Sequence, residues 1–362
     1  MLDQTRMNTN RWVGTRGLRR HRSDRAKVSF VAWGAVAGRS AEIAGSLGGK
    51  AYVLFPPVDR WRPPPAVRYA VGSLLTLAYL VREDPRAVVT TNPPVLPGLI
   101  ALAWSRLRGI PFALDSHPGA FGRQGDRISA LLEPVHRFLV RRAAVTLVTA
   151  TFWVDTVHEW GGRGLVVHEA PGQWASLKTP APHPGRRPKI LLVSRFAGDE
   201  PVDEAVTAAR LVPEFDLLVT GRLEDLPAAL AADAAPNVSF VGFLPQGDYA
   251  ALVAEADLVV ALTTEPTSVM RCAYEAVYAR KPLVISDWPL CRELFPFALP
   301  VANNSEAIAT GLKAAIARLA ELEGEADEAL SVQMARWDSQ LAALISALGL
   351  TQSQVEPLLP TD

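Results

Sequence analysis

The sequence predicts an α/β protein built from two Rossmann-like domains that face each other across a cleft. Three observations predict it. At 362 residues the chain is longer than one domain usually runs. Short apolar runs alternate with helix-period stretches along most of its length. A proline-rich break interrupts that alternation once, after which the same pattern starts afresh. The strand candidates are near-continuous apolar runs, as expected of parallel strands covered on both faces.

The first half, 27–175, carries strand candidates at 28–33, 51–55, 87–91, 112–115 and 145–149, with a small closing strand at 164–170. Helical segments fall between them at 67–83, 95–109 and 128–143. Residues 176–188 hold four prolines and the adjacent Arg186 and Arg187 without a core pattern, and read as a linker. The second half, 189–325, has strand candidates at 189–195, 215–221, 238–244, 257–263 and 282–287, with helices at 201–212 and 248–256 between them. An amphipathic helix is expected at 326–348, where Leu330, Met334, Trp337, Leu341 and Leu344 share one face. A tail follows at 349–362.

Hydrophobic residues make up 49% of the chain and charged residues 20%, which suits well-developed cores. Lys+Arg and Asp+Glu balance at 37 each, so net charge points to no nucleic-acid partner. The nine tryptophans form no stacking array either. Cys272 and Cys291 are too few for a disulfide framework, and a reducing cytoplasm is the expected setting. No stretch reaches the roughly 18 apolar residues of a membrane span. The basic segment 1–26 has no apolar core behind its charges and reads as a tail, not a signal peptide. Residues 1–27 contain eight Lys/Arg against two Asp, which suits a solvated tail or an electrostatic tether to anionic lipid at the inner membrane face. The helices at 67–83 and 95–109 offer apolar faces for the core or for peripheral membrane contact.

The segment 257–287 reads as strand, loop, helix, strand, with the helix expected to open near Ser268. Its unpaired amides and positive dipole end then form an anion site after Thr264. Ser268, Arg271 and Glu275 are spaced to share one face of that helix, placing a hydroxyl and a cation near phosphates and a carboxylate near ribose hydroxyls. The alternative is a surface pair between Arg271 and Glu275. Arg195 closes the strand KILLVSR and offers a planar guanidinium to phosphate oxygens, or a bridge to Asp199 or Glu200. Gly221 ends the next strand, where it admits a nucleotide base or simply makes a turn.

Three loops of the first half follow strands. Gly34 and Gly38 lie between a strand and a helix, a spacing that a tight turn explains without a ligand. Asn92 opens the proline-rich turn NPP. Asp115 and His117 stand at a strand terminus as an acid/base pair, in which either group takes the proton. No histidine pair has metal-ligand spacing, so no metal and no cofactor are expected. No GxGxxG follows a strand, which argues against a nicotinamide dehydrogenase.

The segments YEAVYARKPLVISD and NVSFVGFLPQGDYAALVAEADLVVAL resemble the donor-domain motif of GT-B glycosyltransferases, family 4 and its relatives. The resemblance implies a nucleoside-diphosphate sugar as donor, with Glu275 on its ribose and Arg195 on its pyrophosphate. The family's first glutamate falls at Thr267 here, so the donor-sugar contact passes to Glu265 or is lost. The loops GRS, NPP and Asp-x-His are similar to the β-mannosyltransferases that extend dolichol-linked chitobiose. That likeness implies a saccharide or lipid-linked acceptor facing Gly38, Arg39 and His117, and inversion at the anomeric carbon. Glycosyl transfer is the leading expectation. A catalytically silent partner subunit and a nucleotide-sugar epimerase of the same fold are the alternatives.

Overall fold

A computed structural model of the chain describes residues 28–34, 37–55, 64–121, 127–178, 185–352 and 355. The expected tail at 1–26 lies outside the described residues, as do 179–184 of the expected linker and 353–354 and 356–362 of the expected C-terminal tail.

The described strands form two six-stranded sheets, each parallel throughout. The first contains β1 (Val28–Trp33), β2 (Lys50–Leu54), β3 (Ala87–Asn92), β4 (Phe112–Ser116), β5 (Val145–Val148) and β6 (Gly164–Val166), in the order β2-β1-β3-β4-β5-β6. Between them run α1 (Ala37–Ser46), α2 (Pro65–Glu83), α3 (Val95–Arg108), α4 (Arg127–Val140) and α5 (Thr151–Glu159). The second contains β7 (Lys189–Leu192), β8 (Asp216–Thr220), β9 (Val238–Gly242), β10 (Leu258–Ala261), β11 (Leu283–Ser286) and β12 (Leu299–Val301), in the order β12-β11-β10-β7-β8-β9. Its helices are α6 (Val202–Arg210), α7 (Ala228–Ala232), α8 (Gln246–Glu255), α9 (Arg271–Tyr278), α10 (Pro289–Leu294) and α11 (Ser305–Ala317). Helix α12 (Leu319–Ala347) closes the chain.

Strand order reverses between β1 and β3 in the first sheet and between β7 and β10 in the second. At such a switch point the connections leave in opposite directions, which opens a crevice beyond the carboxyl ends of the strands. The chain passes through these two crevices at Gly34 and Asn92 in one half, and at Arg195 and Thr264 in the other.

The strands are covered on both faces because their side chains alternate between two apolar clusters. In β3, Val88 joins one cluster with Val31 and Leu114, while Val89 joins another with Phe30 and Ala113. The first of these clusters continues into the second half through Leu191, Val259 and Ala273. Helix α12 starts at Leu319, not at 326, and extends for about 43 Å at 1.5 Å per residue. That length lets one helix serve three clusters: Leu322 packs in the second half, Leu330 in the shared cluster, and Trp337 and Leu344 in the first-half cluster that contains Phe30 and Ile43. Val355 is buried on the same patch, so part of the expected tail belongs to the core.

Candidate functional site

The two crevices meet through a chain of alternating charges. Arg39, on the first turn of α1, points inward and is 5% exposed. Its Nε and Nη2 donate to the two carboxylate oxygens of Asp115 at 3.2 and 3.1 Å. Nη1 donates to Glu169 Oε1 and to the His168 carbonyl, both at 3.0 Å, and Nη2 also donates to the Val167 carbonyl at 2.8 Å. A guanidinium has five N–H donors, and all five are occupied. The expectation that Arg39 faces an acceptor is therefore corrected: the side chain fastens β4 to the segment after β6.

Asp115, 1% exposed, receives both of those bonds. Burial pushes its carboxyl up, but the charges of Arg39 and His117 outweigh burial and hold it well below the usual carboxylate range. An acid held ionised so firmly is a poor proton acceptor near neutral pH, which removes Asp115 from the role of base. His117 Nε2 stands 3.5 Å from Asp115 Oδ2, and the side chain is 40% exposed. Its backbone N–H donates to the Asn92 carbonyl at 3.0 Å, fixing the loop. With Nε2 turned to Asp115, Nδ1 is the nitrogen left to take a proton. Asn92 is 1% exposed, and neither end of its amide has a partner among the described residues.

In the second half the loop leaving β10 is pinned at Thr263. Its N–H donates to Ser286 Oγ, and its carbonyl accepts from Trp288 Nε1 and Asn303 Nδ2, each at 2.8 Å. Pro266, whose fixed φ favours the second position of a turn, sits in a turn closed by Ser268 N–H donating to the Glu265 carbonyl at 3.2 Å. Glu265, Thr267 and Ser268 thus lie in the loop, and α9 opens at Arg271. The expected helix start near Ser268 is corrected. The turn consumes the residues that helical spacing had assigned to the first turn of α9, so Ser268 shares no helical face with Glu275.

Arg271 and Glu275 do pair, through Arg271 Nε and Glu275 Oε1 at 2.8 Å, but not on the surface. Glu275 is 6% exposed and also accepts from Tyr249 Oη at 2.7 Å. Arg271 reaches across to the first half, where Nη2 donates to Glu42 Oε1 at 2.9 Å and Nε lies 3.9 Å from Glu169 Oε2. Its guanidinium lies over Gly38, the second residue of α1, so closely that a Cβ there would overlap it. Gly38 therefore lets the two halves touch. One cation faces three carboxylates here. Burial raises the Glu42 carboxyl to about 7, against the pull of Arg271 and helped by Glu169 and Glu275. Burial raises Glu275 as well, again against Arg271.

Arg195 makes the bridge that was the alternative to a phosphate contact. Nε donates to Glu200 Oε1 at 3.3 Å, while the side chain is 68% exposed and its outer nitrogens face solvent. Glu200 Oε2 also accepts from the backbone N–H of Arg195 and from Ser194 Oγ, both at 2.7 Å, so the loop 194–200 is built around Glu200. Gly221 has φ +135, and the Phe196 ring packs where a Cβ would stand. Its space is taken by Phe196, not left for a base. Gly34 also has positive φ, and its N–H donates to the Leu54 carbonyl at 2.6 Å.

Glu42, Glu169 and Tyr249 escaped the sequence reading. Nothing local marks Glu42 or Tyr249. Glu169 follows a strand in the first half, as His117 does, and that position was the available signal.

Two buried histidines give the molecule an acid limit. His136 sits between Ser116 Oγ at 2.9 Å and the Ala120 carbonyl at 3.0 Å, and burial lowers its pKa to about 4. His168 is held by Gln340 of α12 at 3.1 Å, and burial lowers it to about 3, with Arg336 and Arg39 adding to the shift. Both bind protons less well folded than unfolded, so their contribution is complete above the unfolded value of 6.5 and drains away as pH falls. For His136 the loss is roughly 3 kcal/mol. Glu42 has the opposite sign: its stabilisation is complete below 4.5 and lost as pH rises through about 7. The part of the acid loss that His136 carries is expected to disappear in His136→Gln, so its melting temperature should fall less than that of wild type from pH 6.5 toward 4; identical pH profiles would contradict the assignment.

Comparison with known proteins follows the same division of the chain. The glycosyl transferase 4-like domain family matches residues 11–171, and the glycosyl transferases group 1 family matches residues 187–319. No curated protein sequence matches the chain. Among solved structures it is similar to Anabaena HepE in complex with UDP and glucose, at TM-score 0.68 and 15% identity, covering 90% of this chain and 99% of that one. It is also similar to a glycosyltransferase from Rickettsia africae, at TM-score 0.60 and 14% identity, covering 93% and 100%. Sucrose-phosphate synthase from Thermosynechococcus elongatus aligns at TM-score 0.55 and 16% identity, covering 87% and 100%. At these identities the likeness is one of fold.

Proposed function

From the premise that the chain belongs to the GT-B glycosyltransferases, a 4-like domain followed by a group 1 domain, we propose a donor and an acceptor for it. The donor is a nucleoside-diphosphate sugar held at the crevice of the second sheet. The acceptor is a hydroxyl of a glycan or a lipid-linked saccharide at the crevice of the first. The observation that carries this reading is the contact of Arg271 with Gly38 and Glu42, which puts the donor-side helix against the first turn of α1.

In this reading the exposed end of Arg195 and the start of α9 bind the diphosphate, and Glu265, Thr267 and Ser268 line the donor sugar. Glu275 takes the ribose once Arg271 or Tyr249 releases it. Gly34 and the unpartnered amide of Asn92 receive the acceptor. His117 Nδ1 removes the proton from the acceptor hydroxyl as its oxygen bonds to the anomeric carbon. The bond from that carbon to the diphosphate breaks, and the diphosphate leaves with the electron pair. Fixed cations and amides stabilise the developing charge, so no metal is invoked.

Nucleoside diphosphates are expected to raise the melting temperature of the wild-type chain, since a ligand of the folded state alone stabilises it. Glu275→Gln should weaken that binding about 10- to 100-fold, the range for a hydrogen bond to a charged group. Unchanged affinity in this variant sinks the ribose assignment. Supplying donor without acceptor separates the alternatives: an altered nucleotide sugar indicates an epimerase. A chain that binds nucleotide and turns over neither donor nor donor with acceptor is a silent partner.

A further inference from the structure

Helix α2 is apolar on its outward side as well as on the side that covers the sheet, where Leu80 is fully buried. Its inward side carries Thr76, which accepts from Trp33 Nε1 at 3.0 Å, and Tyr79, which stacks on Tyr52. Its outward side carries Val67, Leu74, Leu77 and Val81, a spacing that keeps them on one stripe. Leu74 is 68% exposed and Val81 59%. Of the 13 large hydrophobic residues most exposed among the described ones, nine lie on α2, α3 and α4. The apolar surface is therefore concentrated on one layer of the first half.

Charge also divides along the chain. The chain is neutral overall, but residues 1–178 contain 24 Lys/Arg and 12 Asp/Glu, while residues 179–362 contain 13 and 25. The halves thus carry +12 and −12, and of the +12 residues 1–27 supply +6 and residues 28–178 the other +6. Exposed Arg82, Arg106, Arg108, Arg137 and Arg142 all stand on or beside α2, α3 and α4. Among the described residues no helix is long and apolar enough to cross a membrane. An apolar stripe on such a helix, flanked by arginines, suits an element that lies in the plane of an interface.

We propose that the outer face of α2, with the arginines of α3 and α4, docks the protein on an anionic lipid bilayer. The charge separation turns the basic half toward the lipid and the acidic half away. The chain's own segment 1–27 does not fit this face, because its eight Lys/Arg repel the same arginines. The proposal stands beside the reading of a lipid-linked acceptor and does not rest on it, since these arginines close the C-terminal ends of α2, α3 and α4, at the end of the sheet away from the first crevice. Its test involves no catalysis, so the two readings fail separately.

The experiment is co-sedimentation of the full chain with phosphatidylcholine vesicles, with and without phosphatidylglycerol. The wild-type chain should pellet with the anionic vesicles, less so in high salt. Leu74→Glu combined with Val81→Glu should reduce that binding about tenfold or more. Both side chains are exposed, so melting temperature and nucleotide binding should stay at wild-type values. The proposal is overturned if the wild-type chain stays in the supernatant, or if the variant pellets as well as wild type. It is also overturned if the stripe instead joins two copies, seen as a dimer that the variant dissolves and that ignores vesicles.

Discussion

Arg39→Met is expected to cost about 3–5 kcal/mol of stability, the usual consequence of removing one partner from a buried ion pair. The guanidinium satisfies Asp115, Glu169 and two carbonyls at once, and Asp115 is 1% exposed, so water cannot replace it without opening the sheet edge. Arg39→Lys should recover only part of the loss, because an ammonium cannot span two carboxylates and two carbonyls from one point. The pH dependence adds a second readout. Asp115 has a depressed folded value, so the stability it contributes is present above its unfolded value near 3.8 and is lost as pH falls below it. Without Arg39 that carboxylate is buried and poorly paired, and protonation relieves it. The gap between variant and wild type should therefore narrow as pH approaches 4. Denaturant unfolding at several pH values checks both points; an unchanged midpoint at pH 7 would show that the buried network contributes nothing.

His117→Ala is expected to lower kcat about 10²- to 10⁴-fold, the usual range for a general base. Donor binding should be unaffected, because His117 belongs to the opposite half from Arg195 and Glu275. The loop should keep its shape, since it is held by the backbone bond to Asn92 and not by the imidazole. Asp115 orients the ring and cannot stand in for it, its carboxylate being held ionised between Arg39 and His117. Steady-state kinetics with saturating donor give the answer. A variant that turns over at the wild-type rate leaves the reaction without the base assigned here.

Much of the fold was legible because it rests on local pattern. The run VSFVAW became β1 without a change of boundary, and helices 95–109 and 128–143 appeared within a few residues of their expected ends. The small strand Leu299–Val301 was missed because three residues give no periodicity to read. The start of α9 was misplaced for a related reason. Ser268, Arg271 and Glu275 fit helical spacing, yet Pro266 and the turn it favours consumed the first of them.

The site was legible in its residue types and not in its connections. Asp115, His117, Arg195, Arg271 and Glu275 were all marked by position beside strand ends or on the helix that follows one. Which of them would be saturated was not marked. Arg39 appears as a loop cation in the sequence, and only the packing of α1 on the segment after β6 gives it five acceptors. Glu42 and Glu169 acquire meaning only when Arg271 arrives from more than 100 residues away.

The sequence by itself determined two parallel sheets and the class of residue at their strand ends, because period, strand length and turn chemistry act over a few residues. The tertiary structure alone decided which charges neutralise one another, that Gly38 makes room for Arg271, and that α12 reaches back onto the first sheet. Those outcomes depend on distances between segments far apart in the chain, and side-chain pattern carries no record of such distances.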